Sequence, residues 1–182
     1  EQPWNVDHQS LTASGAVILN DGHIDIASLI EDGSLVTRIK DTSVTNDPTW
    51  REPEDSVLQL LPDSHTTVPE AAAYGFLGAP GADLWAVEQQ QRSGLLWPGW
   101  STELIPVDAT QAGITWTLDD ATGPDSFALF QADSLGNPSV LFNTRDGVDS
   151  NDVMEIPKNT HAHGTWAFSA EGVYCLDFHR AA

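Results

Sequence analysis

The run Thr160-His161-Ala162-His163-Gly164 carries the clearest chemistry in this sequence. Extended backbone sends successive side chains to opposite faces, so on a strand the imidazoles of His161 and His163 project together. Ala162, Gly164, Trp166 and Phe168 then share the other face. The same alternation in Gly22-His23-Ile24-Asp25-Ile26 sets His23 and Asp25 on one side and Ile24 and Ile26 on the other. Neutral imidazoles with a carboxylate form a donor set for a transition metal, and about 2.0–2.2 Å from each donor to the ion makes a tetrahedral zinc site. Zinc fits this set best, with copper, nickel, iron and manganese as alternatives. If the strands bearing the two pairs are neighbours, His23, His161 and His163 hold the ion, with Asp25 or a water as fourth ligand. The competing reading is structural. His161 then cements a turn after Pro157-Lys158-Asn159-Thr160, His163 bonds to backbone, and His23 is a turn residue after Asp21-Gly22.

A second candidate is Leu96-Trp97-Pro98-Gly99-Trp100-Ser101-Thr102-Glu103. Two tryptophans around a Pro-Gly turn can form an aromatic platform for a sugar or peptide, with Glu103 beside it, although core packing of at least one Trp is the commoner outcome. This defines the alternative function, a non-catalytic adhesion or carbohydrate-binding module using Trp97 and Trp100. His8, His65 and His179 lack a ligand-spaced partner and read as surface residues. The sequence contains no Gly-x-Ser-x-Gly elbow, His-Glu-x-x-His helix, phosphate-binding glycine loop or dinucleotide fingerprint, so no enzymatic activity is expected. A metal-dependent hydrolase would need an open coordination position and a base such as Glu103.

Composition narrows the partners. Seven Lys plus Arg against 27 Asp plus Glu give a formal charge of −20, which repels nucleic-acid phosphates and anionic lipid surfaces. Cys175 is the single cysteine, so neither an intramolecular disulfide nor a thiolate zinc cage is available, and any metal must use His and carboxylate. Apolar runs fall well short of the ~20 residues that span a bilayer, so no membrane insertion is expected. Seven Trp with one Cys resemble the usage of many exported proteins.

The elements that must position these groups read as strands. Ala16 to Leu19 ends at Asn20-Asp21-Gly22, and His23 to Ile26 runs through Glu31-Asp32-Gly33 into Ser34 to Lys40 as a hairpin. After a polar loop from Asp41 to Pro53, further strands are predicted at Ser56 to Leu61, Tyr74 to Leu77, Asp83 to Val87, Ile114 to Leu118, Phe127 to Gln131, Val140 to Asn143, Thr165 to Phe168 and Val173 to Phe178. A short helix is allowed within Ala82 to Arg92. Ala170 to Tyr174 matches the turn of immunoglobulin-like sandwiches, where a Tyr bonds back to the backbone, and Cys175 is expected to be a buried, inert thiol. The fold class is therefore all-β, an immunoglobulin-like antiparallel β-sandwich with long loops and little helix. It is read as a single domain over residues 1–182, with residues 1–14 an irregular N-terminal segment.

Five blocks carry a family resemblance. They are Gly22-His23-Ile24-Asp25, Arg51-Glu52-Pro53, Phe76-Leu77-Gly78-Ala79-Pro80-Gly81, Leu96 to Glu103, and Thr160 to Phe168 continuing through Gly172-Val173-Tyr174. In order, they resemble the actinobacterial surface-anchored protein domain found in cell-wall repeat proteins and beside metal-type ABC transporters. That resemblance implies a cell-surface or secreted (extracellular) protein that captures a transition metal, zinc first, for an ABC importer. Its implied partners are the metal ion and an ABC transporter substrate-binding protein or a cell-wall component.

Overall fold

The computed structural model describes residues 16–44, 47–106, 108–109 and 113–182. The expected irregular segment at 1–14, with His8, lies outside the described residues.

Short-range alternation builds the first hairpin. Strand β1 is Val17–Leu19, β2 is Gly22–Glu31 and β3 is Ser34–Asp41. β2 and β3 pair antiparallel from Ile24↔Asp41 to Glu31↔Ser34 around a two-residue turn. Asp32 (φ 50°) and Gly33 (φ 79°) supply the left-handed backbone that such a turn requires, which is why Asp-Gly stands there. The later strands are β4 (Thr49–Arg51), β5 (Ser56–Leu58), β6 (His65–Thr67), β7 (Asp83–Val87), β8 (Leu96–Ser101), β9 (Gly113–Thr122), β10 (Phe127–Ala132), β11 (Pro138–Asn143), β12 (Val153–Pro157), β13 (His161–His163), β14 (Thr165–Phe168) and β15 (Cys175–Ala181).

These strands form an all-β sandwich. One five-stranded sheet runs β11-β10-β14-β7-β6, a second runs β13-β8-β2-β3-β4, and β12-β9-β15 forms a third; β1 and β5 pair separately. Pairings are antiparallel except β2 with β8 and β1 with β5. The main core lies between the sheets and is aromatic, with Trp100, Trp116, Phe127, Phe142 and Trp166 buried alongside Leu129. Complete burial of a side chain such as Leu129 or Phe127 contributes about 1.5–3 kcal/mol relative to exposure.

Two features tie this core to the second sheet. Between β13 and β14 a single residue, Gly164, carries the chain from one sheet to the other. A Cβ there would stand 2.9 Å from the Phe130 carbonyl oxygen and 3.2 Å from the Trp100 ring, so a larger residue would force the layers apart. From β15, Arg180 donates to Ser28 Oγ and to the Ile26 carbonyl (3.1 Å), and lies 4.5 Å over the Trp116 ring. It thereby fixes the middle of β2. Tyr174 Oη donates to the Ala170 carbonyl at 3.1 Å, the backbone bond expected of that turn.

Four expectations are corrected. Tyr74 to Leu77 is not a strand but part of a 3₁₀ turn, Ala72–Leu77. The turn lets Tyr74 and Phe76 pack against the Phe130 cluster while Leu77 is buried in it, which strict alternation would not allow. No helix occupies residues 82–92, because β7 is paired on both sides, with β6 and β14. Cys175 is exposed, because inward positions of β15 fall on Leu176, Phe178 and Arg180 and the cysteine takes the solvent side. Residues 96–101 form a strand instead of a Pro-Gly turn. β13 pairs only with Gly99 to Ser101, so Pro98 sits one residue beyond that ladder, where a missing N–H is tolerated.

Candidate metal centre

β8 brings the two His-bearing strands together by separating them. It pairs parallel with β2, setting Asp25 opposite Gly99 and His23 opposite Trp97. On its other edge it pairs antiparallel with β13, setting His163 opposite Gly99 and His161 opposite Ser101. The histidine strands are thus not direct neighbours; they flank a strand and stand two ladder spacings apart, about 9–10 Å. Gly99 makes the gap bridgeable. A Cβ on it would lie 2.7 Å from Asp25 Oδ1, 2.7 Å from His163 Cε1 and 2.8 Å from the Ala162 carbonyl oxygen. Its bare backbone is the floor over which side chains from both flanking strands converge.

One ligand atom from each of His23, Asp25, His161 and His163 lies within 4.8 Å of all the others. His161 Nε2 is 3.0 Å and His23 Nε2 is 3.4 Å from Asp25 Oδ1. The three imidazole centroids form a near-equilateral triangle with sides of 5.1, 5.2 and 5.4 Å. Asp25 is completely buried, whereas the His161 side chain is 37 % exposed, so the group opens to solvent on one side.

Each ring is held differently. Thr42 Oγ1 donates to the His23 carbonyl (3.2 Å) and lies 2.7 Å from His23 Nδ1. These contacts hold the ring with Nε2 facing Asp25, 3.4 Å from Oδ1. His161 Nδ1 points towards Glu103 Oε2 at 3.9 Å. His163 is stacked on Trp97, with centroids 3.7 Å apart and planes 6° from parallel. The Trp97 indole is itself pinned by Nε1 donating to the Gln89 carbonyl at 2.9 Å.

The electrostatics match a waiting cation. Among the described residues, seven buried side-chain polar atoms lack a hydrogen-bond partner, and five belong here: His23 Nε2, both Asp25 oxygens, and both His163 nitrogens. Buried polar groups are nearly always satisfied, so this concentration calls for a ligand. Burial, reinforced by the neighbouring His23, pushes the His163 imidazole from 6.5 down to about 4, leaving it neutral and able to donate its lone pair near pH 7. Burial works to raise the Asp25 carboxyl, yet the surrounding imidazoles, His23 foremost, hold it below its ordinary 3.8. Lys40, opposite Asp25 in the β2–β3 ladder, places Nζ 4.0 Å from Asp25 Oδ2.

All four metal-site residues expected from the sequence are therefore together. The aromatic platform is not formed: Trp100 is 3 % exposed in the core, because alternation along β8 turns it away from Trp97. Trp97 and Glu103 instead border the histidines. Sequence reasoning missed Gly99, Lys40 and Thr42. Gly99 is two residues from Trp97, and Lys40 alternates with Arg38, so the period-two signal was present without the strand order that gives it meaning. His65 and His179 each meet one carboxylate, Asp83 at 3.0 Å and Asp119 at 2.6 Å, and both are exposed.

Fold and site together define the class: an all-β sandwich with a three-histidine, one-aspartate cluster, able to hold a metal ion, on the outer face of one sheet. Compared with protein-family models, curated proteins and solved structures, the chain matches none.

Proposed function

We propose that this domain binds a transition-metal ion, zinc first, through His23, Asp25, His161 and His163. We further propose that it works outside the cytoplasm, capturing the ion for an ABC importer. The observation that carries the metal reading is the convergence of ligand atoms from His23, Asp25, His161 and His163 within 4.8 Å of one another, with His23 Nε2, both Asp25 oxygens and both His163 nitrogens buried and without a hydrogen-bond partner. Three imidazole nitrogens and one carboxylate oxygen complete a tetrahedral zinc shell, which leaves no position for a reacting water and supports binding rather than catalysis. The partial exposure of His161 supports exchange with a partner, and the net charge of −20 attracts cations to the surface. The extracellular setting and the importer rest on the family resemblance of the His-Ala-His and Trp-Pro-Gly-Trp blocks.

Elemental analysis and zinc calorimetry on untagged protein test this. A single zinc ion per chain is expected, lost in the His161→Ala/His163→Ala double variant. Equal binding by wild type and double variant, or none by either, would overturn it.

A further inference from the structure

The Asp25 carboxylate divides its oxygens between two kinds of neighbour. Oδ1 faces the Nε2 atoms of His161 and His23, while Oδ2 faces the Lys40 ammonium. The register makes this arrangement systematic, since Lys40 is the direct ladder partner of Asp25. Arg38, the next cation along the same face of β3, is committed to Glu31 and Glu52 at 2.9 Å each. Among the described residues, Lys40 is thus the one lysine or arginine within ion-pair distance of this buried carboxylate.

We propose that Lys40 is an internal counter-cation that takes the metal's place beside Asp25, so that the metal-free domain stays folded and the bound ion can be released. The proposal rests on the metal-binding reading above and assigns the site a carrier's behaviour rather than that of a structural zinc. A carboxylate with no solvent contact is costly to keep charged alone, and a lysine on a flexible stem can neutralise it. The Lys40 side chain is 27 % exposed, which gives the ammonium a route to swing outward as a divalent ion arrives. Like charges at this distance oppose each other, so the same lysine weakens metal binding and favours release.

The test uses the full chain as wild type, Lys40→Met, Lys40→Gln and Lys40→Arg. Zinc affinity is measured by competition with a chelator, and thermal unfolding is followed in EDTA. Lys40→Met and Lys40→Gln are expected to bind zinc roughly 10–100 times more tightly, with slower release, and to unfold at lower temperature without metal. Lys40→Arg stays close to wild type. If Lys40→Met does not fold without metal but folds with zinc, that also supports the proposal, and Lys40→Gln supplies the affinity. Wild-type zinc binding combined with unchanged or weaker affinity in both neutral variants overturns the counter-cation role alone. No zinc binding by wild type instead overturns the metal reading beneath it.

Discussion

Gly99→Ala tests the architecture of the site without removing a single donor atom. The added methyl would stand 2.7 Å from Asp25 Oδ1 and from His163 Cε1, and 2.8 Å from the Ala162 carbonyl oxygen. Favourable carbon contacts begin at about 3.5 Å, so the neighbours must retreat by roughly 0.7–0.8 Å. Metal–ligand distances tolerate only about 0.2 Å of error. The displacement falls on a ligand from each flanking strand at once, so the loss should at least match that of an ordinary outer-shell mutation, about 10–100-fold in zinc affinity. In free energy that is roughly 1.4–2.8 kcal/mol. Because the third contact is backbone, the β8–β13 ladder must also shift, and overpacking of this kind lowers metal-free stability by about 1–3 kcal/mol. Chelator competition measures the first effect and urea unfolding in EDTA the second. Gly75→Ala is the control, since a Cβ there meets nothing within 4 Å. Wild-type zinc affinity in Gly99→Ala would refute the idea that this glycine is the floor of the site.

Two further outcomes follow from the same geometry. Trp97→Ala removes the ring on which His163 is stacked and should weaken zinc binding about 10–100-fold by titration, with Trp97→Phe restoring part of the loss. Acid should destabilise the metal-free protein in two windows. The His163 pKa drops on folding from 6.5 to about 4, so the unfolded chain takes up that proton first and stability falls as pH drops from about 6.5 towards 4. Asp25 is held below 3.8, so its contribution is present above that value and is lost only as pH falls further through its lowered pKa. Urea titrations in EDTA across this range should show the upper step in wild type and not in His163→Gln; an identical profile in both would refute the assignment.

The site was legible in the sequence to the extent that it depends on alternation. Period two set His161 beside His163 and His23 beside Asp25 because any extended backbone does so, whatever lies around it. The turns at Asp32-Gly33 and at Ala170 to Tyr174 were legible for a similar reason, since they rest on local backbone preference and a bond four residues back. Local preference misled where packing outweighed it. The aromatic spacing of Tyr74 and Phe76 suits a strand but was used in a turn, and the Pro-Gly pair in β8 suits a turn but lies in a strand.

Which strands meet is decided by contacts between residues far apart in the chain, and no local pattern records them. The tertiary structure alone inserted β8 between the histidine strands, made Gly99 the gap they close over, turned Trp100 into the core and Trp97 onto His163, and set Lys40 opposite Asp25. The sequence by itself determined the donors and the faces they share. Burial of the aromatic core, by choosing strand neighbours and register, decided that those donors converge on one point.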